Sequence, residues 1–378
     1  MPLGAAAAAF AGRSRSALAL TLSVFALAAA PGALAAAPDG PMGYLEGRIV
    51  EIVQRTGSDD VALVQSNGRT IEASIPPDDP FDDVVLPPYR VGDRVELYVS
   101  PGPDGRPVYV VTDWVRRPAL AYLVALFALA SFAVAGFKGL RAIASTAASL
   151  AIVVSFIVPQ ILAGTNPVLV SLVGVGGILI LAIYFVHGVN WSTSAALVGT
   201  VLAVIVTMLL ALVFTDLARL TGLGTEDAIF LLSAAPQVAL KGLLLAGLLI
   251  GALGALTDIT IVQASVVREL AHTDPSLSLG ELYGRAMNVG RDHVGSLVNT
   301  LVLAYTGASL SLLLLLNVGE FGFERALNLE LVAGEVVHTL VGSIGLVLAV
   351  PITTMLAALL FRGDRIPIAP GELHGHHH

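Results

Sequence analysis

The chain has 378 residues, 56% of them hydrophobic and only 13% charged, far more apolar surface than one soluble core of that length can hide, so lipid must be its main solvent. A formal net charge of -8 leaves no basic stripe to replace phosphate counterions, which excludes nucleic acid as a partner. The absence of cysteine removes disulfides, thiolate nucleophiles and Cys-ligated metals together.

In chain order, Arg13 and Arg15 precede an apolar run from Ala17 to Ala30, then Pro31-Gly32 and the small residues Ala33 to Ala37. That order predicts a secretory signal or N-terminal anchor over residues 1–37, and either one exports the segment C-terminal to it. Between Tyr44 and Asp113, short β-branched runs alternate with turn residues and predict strands near 47–54, 61–65, 69–75, 94–99 and 108–112. Asn67-Gly68 is a hairpin signal, and Pro101-Gly102-Pro103-Asp104-Gly105 is another. These features predict a small exported all-β barrel of the OB or SH3-like kind over 43–114. Its loops are acidic (Asp59, Asp60, Asp78, Asp79, Asp82, Asp83), which fits a cap or partner-docking module.

Beyond Arg116-Arg117 the apolar segments predict an all-α polytopic bundle over 118–361, with about seven transmembrane helices. They are placed near 118–137, 143–163, 167–187, 193–214, 239–264, 295–317 and 334–361. With the barrel outside, the inner loops hold Lys138, Arg141, Arg268, Arg285, Arg291, Arg362 and Arg365, as the positive-inside rule asks. Arg116-Arg117 falls on the wrong side. Residues 362–378 become a cytoplasmic tail, whose closing histidines are assigned no function, and the protein is expected in the bacterial plasma membrane.

Candidate chemistry concentrates in the last three spans. In the fifth, Gly247, Gly251, Gly254 and Asp258 share one face, able to pack closely on a neighbouring helix as small-xxx-small patterns do. Asp258 lies about 15 Å inside Arg268 at ~1.5 Å per residue, a depth where an ionisable group marks a pathway, a proton relay or a structural hydrogen bond. In the sixth, Asp292, Ser296, Asn299 and Thr306 share a face that either lines a polar path or bonds to a neighbouring helix. Arg291 and Asp292 at its edge read as an interfacial salt bridge or helix-dipole contact. In the seventh, Glu335 and His338 form a helical i, i+3 pair, a possible outer ion site but only two ligands, so a metal stays open. Pro351 should kink that helix, a hinge or a static bend, with Thr353 and Thr354 placed to satisfy the freed carbonyls. His187 and Trp191 read as interfacial anchors, and Lys241 as a snorkelling cation.

Three segments, Gly251-Ala252-Leu253-Gly254-Ala255-Leu256-Thr257-Asp258, Gly290-Arg291-Asp292-His293-Val294-Gly295 with Asn299-Thr300-Leu301, and Gly342-Ser343-Ile344-Gly345 with Pro351, resemble in order the signature segments of the YibE/F family of bacterial membrane proteins. The resemblance covers roughly 115 to 362. It implies recurrent roles for Asp258, Arg291 and Asp292, and a permease-like activity without an established substrate. Ile261 and Gln263 depart from the small, serine-rich continuation that the family carries after its aspartate.

The leading expectation is a permease or secondary transporter of a small solute or ion, using an intramembrane carboxylate and no cofactor. A G-x-x-x-x-G-K-[ST] loop is absent, and neither H-E-x-x-H nor G-x-S-x-G occurs, so an enzyme is not expected. The alternative is a non-transporting scaffold or assembly factor whose exported domain docks a partner. Beyond the bilayer, a homo-oligomer or a protein bound to the barrel are the partners to expect.

Overall fold

A computed structural model describes residues 43–53, 60–76, 88–318 and 322–362. The leader, the loop aspartates at 59, 78, 79, 82 and 83, and the tail beyond 362 lie outside the described residues. The chain divides into two compact units between Gly139 and Leu140.

The first unit opens with five strands, β1 (Gly43–Val53), β2 (Val61–Ser66), β3 (Arg69–Ser74), β4 (Arg94–Pro101) and β5 (Pro107–Trp114), each within a few residues of its predicted place. They close into a barrel in the order β1-β2-β3-β5-β4, in which β1 pairs antiparallel with both β2 and β4 and β3 meets β5 in parallel at Ser74 and Val110. That order decides for the OB type. Alternation supplies the core: Ile49, Ala62, Val64, Ala73, Leu97 and Val111 point inward and are buried. Asn67 (φ 50°) and Gly68 (φ 77°) are both left-handed, as a two-residue hairpin requires. An open groove of about 900 Å³ runs beside β3 and β5, past Arg69, Thr70 and Tyr109.

Arg116 and Arg117, on the wrong side by the charge rule, are ion-paired to the barrel, Arg116 with Asp113 and Arg117 with Glu46. The hydrogen bond from Arg116, followed by that from the Trp114 N–H, holds the Asp113 carboxyl below its usual range.

Helix α1 (Arg117–Ile152) continues through a π turn (Val153–Ile157) into α2 (Val158–Leu162). The sequence reading parts two spans between 137 and 143. At Gly136 the backbone leaves helical geometry (φ 55°, ψ -141°), so α1 is two helices joined across a kink, one residue from the predicted end of the first span. Glycine tolerates the left-handed φ that this break requires, and the polar Lys138 and Arg141 follow it.

In the second unit, α3 (Pro167–Ile180, extended by a π turn to Phe185) starts on Asn166, whose side chain accepts from the Val168 N–H at 3.0 Å. Then come α4 (Trp191–Leu217), α5 (Glu226–Ala234), α6 (Leu240–Thr273), α7 (Leu279–Ala308), α8 (Leu310–Val318), α9 (Phe323–Leu327) and α10 (Glu330–Phe361). The centre is a three-helix pack of α4, α6 and α10, with α3 against α6, and α7 against both α6 and α10. Small residues permit the close approach. A methyl at Gly290 of α7 would lie 2.6 Å from Val350 of α10, and one at Gly345 of α10 would lie 3.1 Å from the Thr207 Cβ of α4.

Polar clasps bridge the same helices. The Thr200 and Thr260 hydroxyls are 2.6 Å apart, and the Gln263 amide donates to the Ala286 carbonyl at 3.0 Å and to the Thr354 hydroxyl at 2.7 Å. Gln263, where the chain departs from the resembled pattern, is therefore a fully buried junction of α6, α7 and α10.

Among the described residues, five helical stretches are long and apolar enough to cross a membrane, or six if α7 and α8 form one span bent by 58°; the first, Arg117–Leu162, runs 46 residues across the Gly136 kink, where the sequence expectation of seven places two spans. The sixth predicted span, 295–317, straddles that bend. Its helix begins at Leu279, because Ser278 and Glu281 form a reciprocal capping box that a hydropathy scan does not register.

Candidate functional site

The glycine face of α6 packs closely against other helices only at Gly251, not along its length as the small-residue pattern allows. Residues buried against the core, Leu249, Ala252, Leu256 and Thr260 among them, occupy the opposite side of the helix. Gly247, Gly251, Gly254 and Asp258 are all exposed, and a methyl at Gly247 or Gly254 would meet nothing within 4 Å. The four residues therefore form an exposed strip, about 16 Å long from Gly247 to Asp258 at ~1.5 Å per residue.

Midway along the strip, Gly251 is closely approached by other helices. A methyl at Gly251 would lie 2.9 Å from the His338 Nε2 of α10 and 3.1 Å from the Tyr305 hydroxyl of α7. The Tyr305 and His338 rings pack at 4.8 Å between centroids, tilted by 47°. The His338 Nε2 is buried and has no hydrogen-bond partner among the described residues. Tyr305 carried no signal in the sequence beyond being an aromatic in an apolar span.

At the Gly247 end of the strip lies a cavity of about 330 Å³ between the N-terminal parts of α6 and α10 and the short α5. Gly247, Glu335 and His338 all line it, so the predicted outer pair sits where the glycine face begins. Glu330 also borders the cavity and is anchored by the loop before α5. Its carboxylate accepts from the Thr221 N–H at 2.6 Å, the Gly222 N–H at 2.6 Å and the Thr221 hydroxyl at 2.8 Å. Neither Glu330 nor Asp227, a third acidic residue of the wall, stood out in the sequence. Among the described residues no three His, Asp or Glu side chains gather as a metal site, so Glu335 and His338 remain a pair. Lys241, expected to snorkel, is ion-paired with Asp216.

At the other end stands Asp258. No hydrogen bond to its carboxylate is found among the described residues, and the imidazole of His187, beyond the π turn of α3, lies within electrostatic reach. His187 thus faces the carboxylate as well as ending its span.

The predicted stripe of α7 is not brought to Asp258 by any hydrogen bond or ion pair among the described residues. Val294, Leu297 and Val298 pack on the core, which turns Asp292, Ser296 and Asn299 to the exposed side. Arg291 does not pair with Asp292: its guanidinium donates to the Asn288 side chain at 2.9 Å, one helical turn back. The Thr306 hydroxyl donates to the Val302 carbonyl of its own helix at 2.8 Å.

Pro351 sits inside α10, where its ring removes the bond to the Val347 carbonyl. Thr354 does not repair that loss, since its hydroxyl donates to the Val350 carbonyl at 2.7 Å, and the Thr353 hydroxyl has no hydrogen-bond partner among the described residues.

No match was found among curated proteins or solved structures. A family model described as YibE/F-like protein matches residues 123–363, nearly two thirds of the chain, and takes in α6, α7 and α10 with Asp258, Arg291, Asp292 and Pro351. With five helices fit to cross a bilayer, the match supports a membrane location. The chain belongs to the YibE/F-like family.

Proposed function

We propose that this protein is a permease or secondary transporter whose substrate path follows the glycine face of α6, from the cavity at Glu335 and His338 to the carboxylate of Asp258. One observation carries the reading: Gly247, Gly254 and Asp258 stay exposed, with the Tyr305 and His338 side chains meeting the face between them at Gly251, on a helix whose other side is buried in the core. A carboxylate in an apolar span, with no hydrogen bond from the described residues, is costly in hydrocarbon and is held there for hydration or a passing cation. In this reading the barrel lies outside the cell, the C-terminus is cytoplasmic, and the energy comes from an ion gradient, consistent with the absent phosphate-binding loop.

The test is flux in liposomes with a pH-sensitive dye inside, comparing wild type with Asp258→Asn across cations and small organic anions. The reading predicts flux that the variant loses while remaining folded. No flux from either protein would transfer the weight to a scaffold that uses the open groove of the barrel to hold a partner.

A further inference from the structure

The charge on the cavity wall identifies what it can hold. Asp227, Glu330 and Glu335 border it, and no lysine or arginine does. The nearest cation in the sequence of α6, Lys241, is already paired with Asp216. Glu330 is occupied by three loop donors, which leaves Asp227 and Glu335 to face a guest. An anion would meet carboxylates without a compensating charge, whereas a cation supplies one.

The rest of the wall decides between an inorganic and an organic cation. Leu231, Leu243, Leu244, Leu248 and Leu331 are apolar, and the described acidic and histidine side chains do not converge as a ligand shell. A bare metal ion would give up its water there and find too few oxygens in return. A space of about 330 Å³ holds on the order of ten water-sized groups at ~30 Å³ each, the size of an ammonium on a short hydrocarbon or aromatic body. His338 borders the cavity, but its Nε2 is buried against Gly251 and Tyr305, so the polar contacts on offer to a guest come from the carboxylates.

We infer that the cavity at the N-terminal ends of α6 and α10 binds small monovalent organic cations, an ammonium against Glu335 and Asp227 with its apolar body among the leucines. This names a substrate class for the path proposed above and rests on that reading only for passage beyond the cavity.

The experiment is calorimetric titration of the full chain in nanodiscs near neutral pH with three matched probes, benzylamine, benzyl alcohol and benzoate. Saturable binding is expected for benzylamine alone. Glu335→Gln should weaken it by about tenfold or more through loss of a partly desolvated charge pair. Asp227→Asn, on the exposed α5, should weaken it less and serves as the second probe if Glu335→Gln misfolds. Equal binding of benzoate or benzyl alcohol, competition by sodium at equal potency, or unchanged affinity in both variants would overturn the assignment. Benzylamine binding without benzylamine flux would leave the cavity assignment standing and defeat the transport reading. Flux indifferent to Glu335→Gln would do the reverse.

Discussion

Gly254 and Gly345 are both helical glycines of the second unit, and the structure predicts opposite responses to the same added methyl. At Gly345 the methyl would overlap the Thr207 Oγ1 of α4 and lie 3.1 Å from its Cβ and 3.3 Å from its Cγ2, inside a close helix contact of the core. Overpacking of that kind costs about 1–3 kcal/mol. At Gly254 the methyl would meet nothing within 4 Å. The change from glycine to alanine in a helix interior then contributes its usual gain of about 0.5–1 kcal/mol. That gain is common to both sites, so the difference between the variants isolates the packing cost, about 1–3 kcal/mol. Thermal melts of the two detergent-purified variants, followed by size-exclusion recovery, measure it. Gly345→Ala should melt below wild type and Gly254→Ala at or above it. If Gly254→Ala melts as low as Gly345→Ala, the glycine face is packed against another element and the exposed strip does not exist.

Gln263→Ala removes two hydrogen bonds and leaves a void at a fully buried junction, so it should lower stability by about 2–4 kcal/mol in the same melt. Gly68→Val places a branched residue at φ 77°, which should cost the β2–β3 hairpin about 1–2 kcal/mol and speed amide exchange in those strands without altering α4, α6 or α10. The Asp113 carboxyl is held low by Arg116, so the stability it adds is present in full above the carboxylate's unfolded pKa and is lost as pH falls through the lower folded value. Acid titration below about pH 4, followed by tryptophan fluorescence, should therefore unfold the barrel of wild type more steeply than that of Asp113→Asn.

Elements with a strong local period were legible in the sequence. The strands of the barrel follow from alternation and from Asn67-Gly68, and α3, α4, α6 and α10 follow from long apolar runs. The OB order was not, because strand neighbours are settled by barrel closure, which no single strand encodes. The start of α7 is written in Ser278-Leu279-Gly280-Glu281 but not in hydropathy, since its first turns are too polar for a membrane window.

At the site, the shared face of Gly247, Gly251, Gly254 and Asp258 could be read by counting residues. Whether that face is covered could not, because the same pattern serves close packing and an exposed strip alike. Glu335 and His338 were visible as a pair, but Tyr305, Asp227 and Glu330 join them only through tertiary contacts.

The most direct test of a polar path along α6 uses the absence of cysteine from the chain, which makes single substitutions clean reporters. Cysteines placed singly at Gly254, Asp258 and Leu256 would be challenged in intact membranes with a charged, water-soluble maleimide. An exposed, hydrated strip predicts labelling at 254 and 258 and none at 256, which is buried against the core. Protection at 254 and 258 in a correctly folded protein would contradict the account.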